Sequence, residues 1–305
     1  MSGSIVVSAF YKFVTVDDVE ALRAPLLALT TELEMSGSVL VAPEGLNGTI
    51  AGSRESTDHV FGWLRADERF ADLVTKESFA DIVPFRRMKV KAKAEIVTLR
   101  QDVDPTEVVG TYVDPVDWND VISDPEVFVV DTRNVEEISI GTFTGAVDPK
   151  TESFSEFADW VDGTLDPEKH TKVAMFCTGG IRCEKASSYM LDKGFDEVLH
   201  LNGGILNYLE KVPEAESMWE GECFVFDERV SVDHDLNMGS YELCRGCRRV
   251  VADADKETPE FEDGVSCPAC FGGLTDEKQE GLRERHRQQL AAERRGERHV
   301  GQVLE

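Results

Sequence analysis

The sequence lacks the features that would place it in several large classes of protein. No stretch of its 305 residues approaches the roughly 20 consecutive apolar residues that a membrane-spanning helix needs. The N-terminus has no basic region followed by an apolar one, so a cytoplasmic protein is expected. No flavin, nicotinamide or haem signature is present, and the six histidines do not pair with carboxylates as an iron facial triad would. No membrane contact and no redox cofactor of these kinds are therefore predicted.

Positive charge is also scarce. The chain has 59 acidic and 32 basic residues, which gives a net charge of −27. A basic partner, or repulsion from nucleic acid, would explain such a charge. The acidic residues are spread along the whole chain instead of forming one tail, and this favours a third explanation, adaptation to high salt, where repulsion between surface charges is screened.

Four of the seven cysteines form two Cys-x-x-Cys pairs near the C-terminus. Nineteen residues separate the pair Cys244 and Cys247 from the pair Cys267 and Cys270, as in zinc ribbons. Four thiolates would complete a tetrahedral shell, so a bound zinc would be structural and not catalytic. Two redox-active dithiols are the alternative.

A cysteine and an arginine with four residues between them form the most informative motif. The motif follows a strand-like run at 173–176, opens a helix-like segment at 183–193, and consists of Cys177, Thr178, Gly179, Gly180, Ile181 and Arg182. Backbone N–H groups converge at such a turn and, with the guanidinium, lower the pKa of the thiol. Cysteine phosphatases have five intervening residues, so this shorter loop has room for one extra sulfur atom and not for a phosphate. A buried structural cysteine is the alternative.

The first hundred residues alternate between strand-like and helix-like segments. Strands are predicted over 5–13, 38–42 and 49–51, near 73–78, and over 90–99, and helices from Val16 and over 55–65. The order βαββαβ is typical of a ferredoxin-like sandwich similar to the acylphosphatase type. A basic segment interrupts this acidic chain, and its members Arg86, Arg87, Lys89, Lys91 and Lys93 are candidates for contact with an RNA backbone. A solvated strand face is the alternative.

The central segment resembles a rhodanese domain over about residues 115 to 211. A buried strand leads to Asp131 and Arg133, and a second strand leads to Gly203 and Gly204. In that family the loop cysteine carries sulfur as a persulfide, a role that falls here on Cys177. In rhodanese domains a Gly-His-Ile sequence usually follows an acidic pair, which is Glu136 and Glu137 here. This signature is altered in the present chain, since residues 141–143 read Gly-Thr-Phe.

Longer segments at 44–52, 177–186 and 221–230, together with the four terminal cysteines, resemble the oxygen-dependent tRNA uridine hydroxylases, the TrhO family. The resemblance implies an oxidoreductase of the EC 1.14 type that converts the wobble uridine (position 34) to 5-hydroxyuridine. It also implies O2 as co-substrate, the tRNA anticodon loop as partner, and Cys177 as the essential cysteine. No DNA partner is expected, and Cys183 is a candidate resolving thiol. Two alternatives stay open: a persulfide sulfurtransferase acting on tRNA or another acceptor, and a non-catalytic RNA-binding module.

Together these patterns predict a multidomain protein of the α/β and α+β classes. Residues 1–100 form a ferredoxin/acylphosphatase-like domain that contacts RNA, 101–114 a linker, and 115–212 a rhodanese α/β domain. Residues 213–305 form a C-terminal region with a zinc ribbon at 241–273 and a helical, locally basic tail. That tail contacts RNA or is a solvated helix with internal ion pairs.

Overall fold

The computed structural model of the chain describes residues 5–295 and divides into two compact units. The first unit comprises Met1–Phe224 with Asp233–Asn237, and the second comprises Val225–Val232 with Met238–Glu305. The first unit contains two α/β domains, and the second contains the cysteine pairs. The predicted fold class is confirmed.

The N-terminal domain is a five-stranded sheet with two helices on one face. Its elements are β1 (Ile5–Phe13), α1 (Val19–Glu32), β2 (Ser36–Ala42), β3 (Gly45–Gly52), α2 (Arg54–Arg65), β4 (Thr75–Ala80) and β5 (Met88–Ala92). The strand order is β4-β1-β3-β2-β5; β5 runs parallel to β2, and the other pairs are antiparallel. The domain therefore has five strands, as many as the predicted ranges, and its order βαββαββ is one strand longer than the predicted βαββαβ formula.

The predicted final strand at 90–99 is present but has the wrong bounds, because β5 spans Met88–Ala92. Beyond it, side chains take over the hydrogen bonds that a neighbouring strand would make. The Glu44 carboxylate accepts the Ile96 N–H at 2.6 Å, and the Glu95 carboxylate accepts the Leu99 N–H at 2.9 Å. Lys93 consequently lies just after the strand, although its N–H still donates to the Val41 carbonyl oxygen at 2.9 Å.

The apolar residues of this sheet alternate along each strand, as expected for one buried face. Phe10, Val39, Leu46, Ile50 and Val90 are buried against α1 and α2. Side chains at the intervening positions point to the opposite face, where Phe13 and Ala42 are buried in a cluster with Ile96.

The second domain is a parallel sheet with helices around it. Its elements are β6 (Thr111–Val113), α3 (Pro115–Ser123), β7 (Phe128–Asp131), α4 (Val135–Ile138), β8 (Gly141–Phe143), α5 (Phe157–Thr164), β9 (Lys172–Phe176), α6 (Ile181–Asp192), β10 (Glu197–Leu201) and α7 (Gly204–Lys211). The strand order is β6-β10-β9-β7. Strand β11 (Trp219–Gly221) pairs with β8, and the two-residue β12 (Cys223–Phe224) follows it. The carboxyl end of the buried strand β9 delivers the thiol loop.

Helix α6 joins the two domains of the first unit. The ammonium group of Lys185, which is 1% exposed, contacts the carboxylates of Glu44 at 2.9 Å and Glu95 at 2.6 Å. One turn earlier, Ile181 packs against a small apolar cluster that includes Phe13 and Ile96. The N-terminal domain is thus held against the helix that begins at the thiol loop.

The second unit is small and rich in turns. It contains β13 (Ser231–Val232), the antiparallel hairpin β14 (Glu242–Leu243) and β15 (Val250–Val251), α8 (Asp253–Lys256) and α9 (Asp276–Arg294). Arg283 of α9 binds the Glu262 carboxylate through two hydrogen bonds of 2.6 and 2.7 Å, and Arg287 binds Glu284 at 2.6 Å. The predicted basic tail is therefore helical and ion-paired where it is described, and its last ten residues lie outside the described residues. None of the helices within 5–295 is long and apolar enough to cross a membrane.

Candidate functional site

The loop after β9 directs backbone N–H groups at the sulfur of Cys177. The Gly180 N–H donates to Cys177 Sγ at 3.1 Å, and the N–H groups of Arg182 and Cys183 donate to it as well. Gly180 has a φ of +98°, a left-handed conformation that favours glycine and turns the chain directly into α6. The residues of the predicted loop thus form a cradle around one sulfur atom.

Helix α7 binds the outer side of the same loop. The N–H groups of Ile205 and Leu206 donate to the carbonyl oxygens of Cys177 and Thr178 at 3.0 and 3.1 Å. Gly204 makes this approach possible, because a Cβ at that position would lie 2.5 Å from the Cys177 carbonyl oxygen. The loop carbonyls are held away from the sulfur, so mainly donors surround it.

The surroundings of Cys177 favour its thiolate form at neutral pH. Its side chain is 1% exposed, and this burial alone would raise the pKa. A hydrogen bond from the Cys183 thiol, the charge of Arg182 and the loop N–H groups outweigh burial and lower the pKa of Cys177 to about 5. Burial and the adjacent thiolate raise the pKa of Cys183 well above its ordinary value. The two sulfurs therefore form a thiolate–thiol pair.

Arg182 is not free to bind an external anion, because Glu137 holds it. The two atoms Nη1 and Nη2 each lie 2.7 Å from a carboxylate oxygen of Glu137, and Thr178 Oγ1 donates to the same carboxylate at 3.3 Å. Burial opposes ionisation of Glu137, but the charge of Arg182 lowers its pKa. The loop thus offers uncharged backbone N–H donors and a guanidinium whose charge is balanced by Glu137. This arrangement suits a single sulfur better than a doubly charged phosphate. Glu137 was not predicted as a site residue, and its only sequence signal is an acidic pair near the rhodanese strand.

A carboxyl and two phenols, none of them predicted, complete the site. Tyr11 Oη of β1 donates to Glu184 Oε1 at 2.8 Å, and Tyr112 of β6 hydrogen-bonds to the same carboxyl group. Burial, supported by the Cys177 charge, raises the pKa of Glu184 despite both phenols. Tyr11 Oη also lies 2.9 Å from the position that a Cβ on Gly180 would take. The first domain therefore contributes a side chain directly at the thiol loop.

The basic residues lie at the edge of the N-terminal sheet. Arg86 and Arg87 precede β5, Lys89 and Lys91 lie on it, and Lys93 follows it. Burial, together with the charges of Arg87 and Lys91, lowers the pKa of Lys89.

The lysines of β5 share a sheet face with Tyr11. Strand pairing places Tyr11, Asn47, Leu40 and Lys91 in one row across β1, β3, β2 and β5. Three strand spacings of about 4.8 Å separate Tyr11 from Lys91 by about 14 Å. The lysines of β5 and Tyr11, which lies beside the thiol loop, thus lie on the same face of the sheet.

The four C-terminal cysteines form a cluster that could hold a metal ion such as zinc. Their sulfurs all lie within 4.8 Å of one another. The separations are 3.8 Å for Cys244–Cys270, 3.7 Å for Cys247–Cys267 and 3.9 Å for Cys267–Cys270. Four sulfurs at about 2.3 Å from a tetrahedral zinc would lie about 3.8 Å apart, so the donor set fits that ion. Because four thiolates leave no open position, its chemistry would be to stabilise the second unit.

Two family models match this chain. The UPF0176 acylphosphatase-like domain matches residues 5–96, and the rhodanese-like domain matches residues 115–211. The rhodanese match indicates an enzyme with a reactive cysteine and a sulfur or redox activity.

Several solved structures are similar to parts of the chain. A rhodanese-like domain from an Anabaena species is 17% identical over 36% of this chain and 78% of its own, with a TM-score of 0.31. A rhodanese-related protein from Thermoplasma volcanium is 22% identical over 33% and 93%, with a TM-score of 0.28. The BH2092 protein from Bacillus halodurans is 24% identical over 37% and 77%, also with a TM-score of 0.28.

Proposed function

From the UPF0176 architecture of this chain, an acylphosphatase-like domain followed by a rhodanese-like domain, we propose that it is a tRNA-modifying enzyme. It hydroxylates carbon 5 of the wobble uridine, position 34, to 5-hydroxyuridine, with O2 as co-substrate. Cys177 is the nucleophile, and the residues from Thr178 to Arg182 hold its sulfur.

The observation that carries this proposal is the sheet face shared by the lysines of β5 and Tyr11. A wobble uridine lies in a single-stranded loop, so it can be splayed out without melting a helix. Lys89 and Lys91 would contact backbone phosphates while the base reaches Cys177 beyond Tyr11. Local basic residues are needed for such binding, because the net charge of −27 repels RNA.

The thiolate activates the base by adding to carbon 6 of the uracil ring. The π electrons of the C5–C6 double bond then move towards oxygen 4, so that carbon 5 becomes enolate-like and reacts with O2. Carbon 5 takes up O2 and a proton as a hydroperoxide, and the Cys183 thiol removes the outer oxygen to become a sulfenic acid. Loss of the hydrogen on carbon 5 then breaks the bond between Cys177 and carbon 6 and releases 5-hydroxyuridine. The freed Cys177 thiolate condenses with the Cys183 sulfenic acid to a disulfide and water, and an external thiol reduces that disulfide.

The test is the mass of the wobble nucleoside in tRNA from cells that carry or lack the gene. Loss of a single added oxygen in the deletion strain is expected, and a gene encoding Cys177→Ser should not restore it. Cys223→Ser is the matched control, since Cys223 is equally buried but its pKa is raised to about 12. An unchanged nucleoside in the deletion strain would rule the proposal out.

The contact with tRNA is tested separately by charge reversal. The variant Lys89→Glu/Lys91→Glu should bind tRNA more weakly, and the slope of log affinity against log salt should fall by about 0.7 per lost contact. The control Lys150→Glu/Lys169→Glu reverses two lysines whose side chains are 75% and 77% exposed. Equal losses in both variants would show that net charge alone matters, and unchanged affinity would remove β5 from the interface.

A persulfide sulfurtransferase is the second candidate function. The rhodanese-like domain and the N–H groups aimed at Cys177 Sγ favour it, since the same donors would hold the terminal sulfur of a persulfide. In that reaction Cys177 takes the outer sulfur of a donor such as thiosulfate, sulfite leaves, and an acceptor nucleophile then removes the sulfur. Loss of an added sulfur, instead of an oxygen, from the wobble nucleoside would select this function.

A further inference from the structure

Glu184 is an unusual residue, because it is a partly buried carboxyl group without a cation. Its partners are the hydroxyls of Tyr11 and Tyr112, and within residues 5–295 no lysine, arginine or histidine lies at ion-pair distance from it. The adjacent residues of α6 differ, since Arg182 pairs with Glu137 and Lys185 with Glu44 and Glu95. Withdrawing a carboxyl group from water without a compensating charge costs free energy, and carboxyl groups with a raised pKa concentrate at sites of proton transfer.

Tyr11 brings this carboxyl group close to the reacting sulfur. Its hydroxyl lies 2.9 Å from the position that a Cβ on Gly180 would take, and the Gly180 N–H donates to Cys177 Sγ. Burial and Glu184 raise the pKa of the phenol most, and the phenol is near enough for the charge of the Cys177 thiolate to raise it further. Tyr112 is less well placed for a fixed acid, because its side chain is 46% exposed and its ring packs on the His200 ring at 4.2 Å.

We propose that Tyr11 is the general acid of the uridine reaction and that Glu184 supplies the proton to it; this inference rests on the proposed function. As Cys177 Sγ bonds to carbon 6, the electron pair moves to oxygen 4 of the base, and the Tyr11 hydroxyl transfers its proton to that oxygen. In its neutral form, which partial burial favours, Glu184 passes its proton across the 2.8 Å contact to Tyr11 Oη and restores the phenol. No electron donor or acceptor is needed for this step, and Glu184 is left as a carboxylate.

The same assignment gives the contact between the two domains of the first unit a role in the reaction. A rhodanese loop alone has a nucleophile but no acid at oxygen 4, and the N-terminal domain supplies that acid from β1. The pairs of Lys185 with Glu44 and Glu95 hold Tyr11 in place relative to the loop. Tyr11 is therefore a catalytic residue, and Glu184 is a positioning and proton-supplying residue that acts through it.

The experiment follows the addition step without oxygen. Addition at carbon 6 labilises the hydrogen on carbon 5, so full-length enzyme and tRNA deuterated at carbon 5 of the wobble uridine are incubated anaerobically. Loss of deuterium is then measured by mass spectrometry. Tyr11→Phe keeps the ring and removes the acid, while Glu184→Gln keeps a hydrogen-bond acceptor for Tyr11 but cannot release a proton. Tyr189→Phe is the control. Tyr189 also lies on α6 and donates a 2.7 Å hydrogen bond to a carboxylate, that of Asp162.

Loss of deuterium should be about 100-fold slower or more in Tyr11→Phe and in Glu184→Gln, and the affinity of both variants for tRNA should be unchanged. Tyr189→Phe should lose deuterium at the wild-type rate. Exchange in both site variants at the rate of Tyr189→Phe, while the wild type makes 5-hydroxyuridine in air, would overturn this inference and leave the proposed function intact. Deuterium loss that depends on Tyr11, without any hydroxylation in air, would overturn the proposed function alone. Absence of exchange in a wild type that still makes 5-hydroxyuridine in air would overturn this inference alone, and absence of both exchange and hydroxylation would overturn the proposed function as well. If Tyr11→Phe does not fold, Glu184→Gln decides the result.

Discussion

Removal of the Arg182 guanidinium should weaken the Cys177 nucleophile. With a pKa of about 5 the thiol is almost fully ionised at pH 7, whereas an unperturbed cysteine with a pKa of about 8.5 is about 3% ionised. In Arg182→Gln the burial that raises the pKa persists, and one of the main groups opposing it is gone. We expect the pKa of Cys177 to rise by about one unit or more, which corresponds to about 1.4 kcal/mol per unit.

The same substitution should destabilise the fold, because Glu137 keeps its charge and loses its partner. The Glu137 side chain is 2% exposed, and breaking a buried ion pair costs about 3–5 kcal/mol. The double variant Arg182→Gln/Glu137→Gln removes both charges and should recover most of that loss. The pKa of Cys177 should stay raised in the double variant, so reactivity and stability are separated.

Two measurements test this reasoning. The rate of alkylation of Cys177 by iodoacetamide, followed by mass spectrometry against pH, gives the pKa, and urea unfolding gives the free energy. The thiolate is present above its pKa and is lost as the pH falls through it, so the wild-type rate should drop with a midpoint near 5. A midpoint in Arg182→Gln equal to that of the wild type would refute the electrostatic account. A double variant as unstable as the single one would refute the unpaired-carboxylate account.

Three further predictions concern the rest of the molecule. Gly204→Ala should abolish Cys177 alkylation at pH 7, because the added Cβ would clash with the carbonyl oxygens of the thiol loop. The control is Gly163→Ala in α5, where an added Cβ meets none of the described residues within 4 Å. It should leave the free energy of unfolding unchanged or raise it by about 1 kcal/mol. Lys185→Met should lower the free energy of unfolding in a urea titration by about 1–3 kcal/mol, since it leaves two partly buried carboxylates unpaired. The control is Lys193→Met, which removes a lysine side chain that is 41% exposed and should change the same free energy by less than about 0.5 kcal/mol. One zinc per chain should be found by elemental analysis, and its removal by a chelator should expose the C-terminal unit to proteolysis and leave the first unit resistant.

The features that the sequence predicts well are those whose residues are close together along the chain. The strand, glycine turn and helix around Cys177 lie within about 20 residues, so turn chemistry and periodicity locate them. The spacing of the C-terminal cysteines similarly predicts a cluster that could hold a metal, and the structure brings all four sulfurs together.

The features that the sequence does not reveal depend on long-range packing. Tyr11 and Glu184 are 173 positions apart, and Arg182 and Glu137 are 45 apart, so no local spacing connects them. Each is an ordinary strand or helix residue until the fold brings it to the loop. The early end of β5 has the same origin, because the carboxylate of Glu44 binds a backbone N–H of that segment from 52 positions away.

Burial of Cys177 also has a consequence for oxidative damage. Thiolates are the cysteine form that peroxide attacks first, and an exposed thiolate can be oxidised beyond the sulfenic acid to irreversible products. Here the thiolate is 1% exposed, and the loop beside it is open at Gly179, where an added Cβ would meet none of the described residues within 4 Å. A sulfenic acid formed on Cys177 would meet the Cys183 thiol and condense to a disulfide that cellular thiols can reverse. The same neighbour that keeps Cys177 ionised would thus protect it from permanent inactivation.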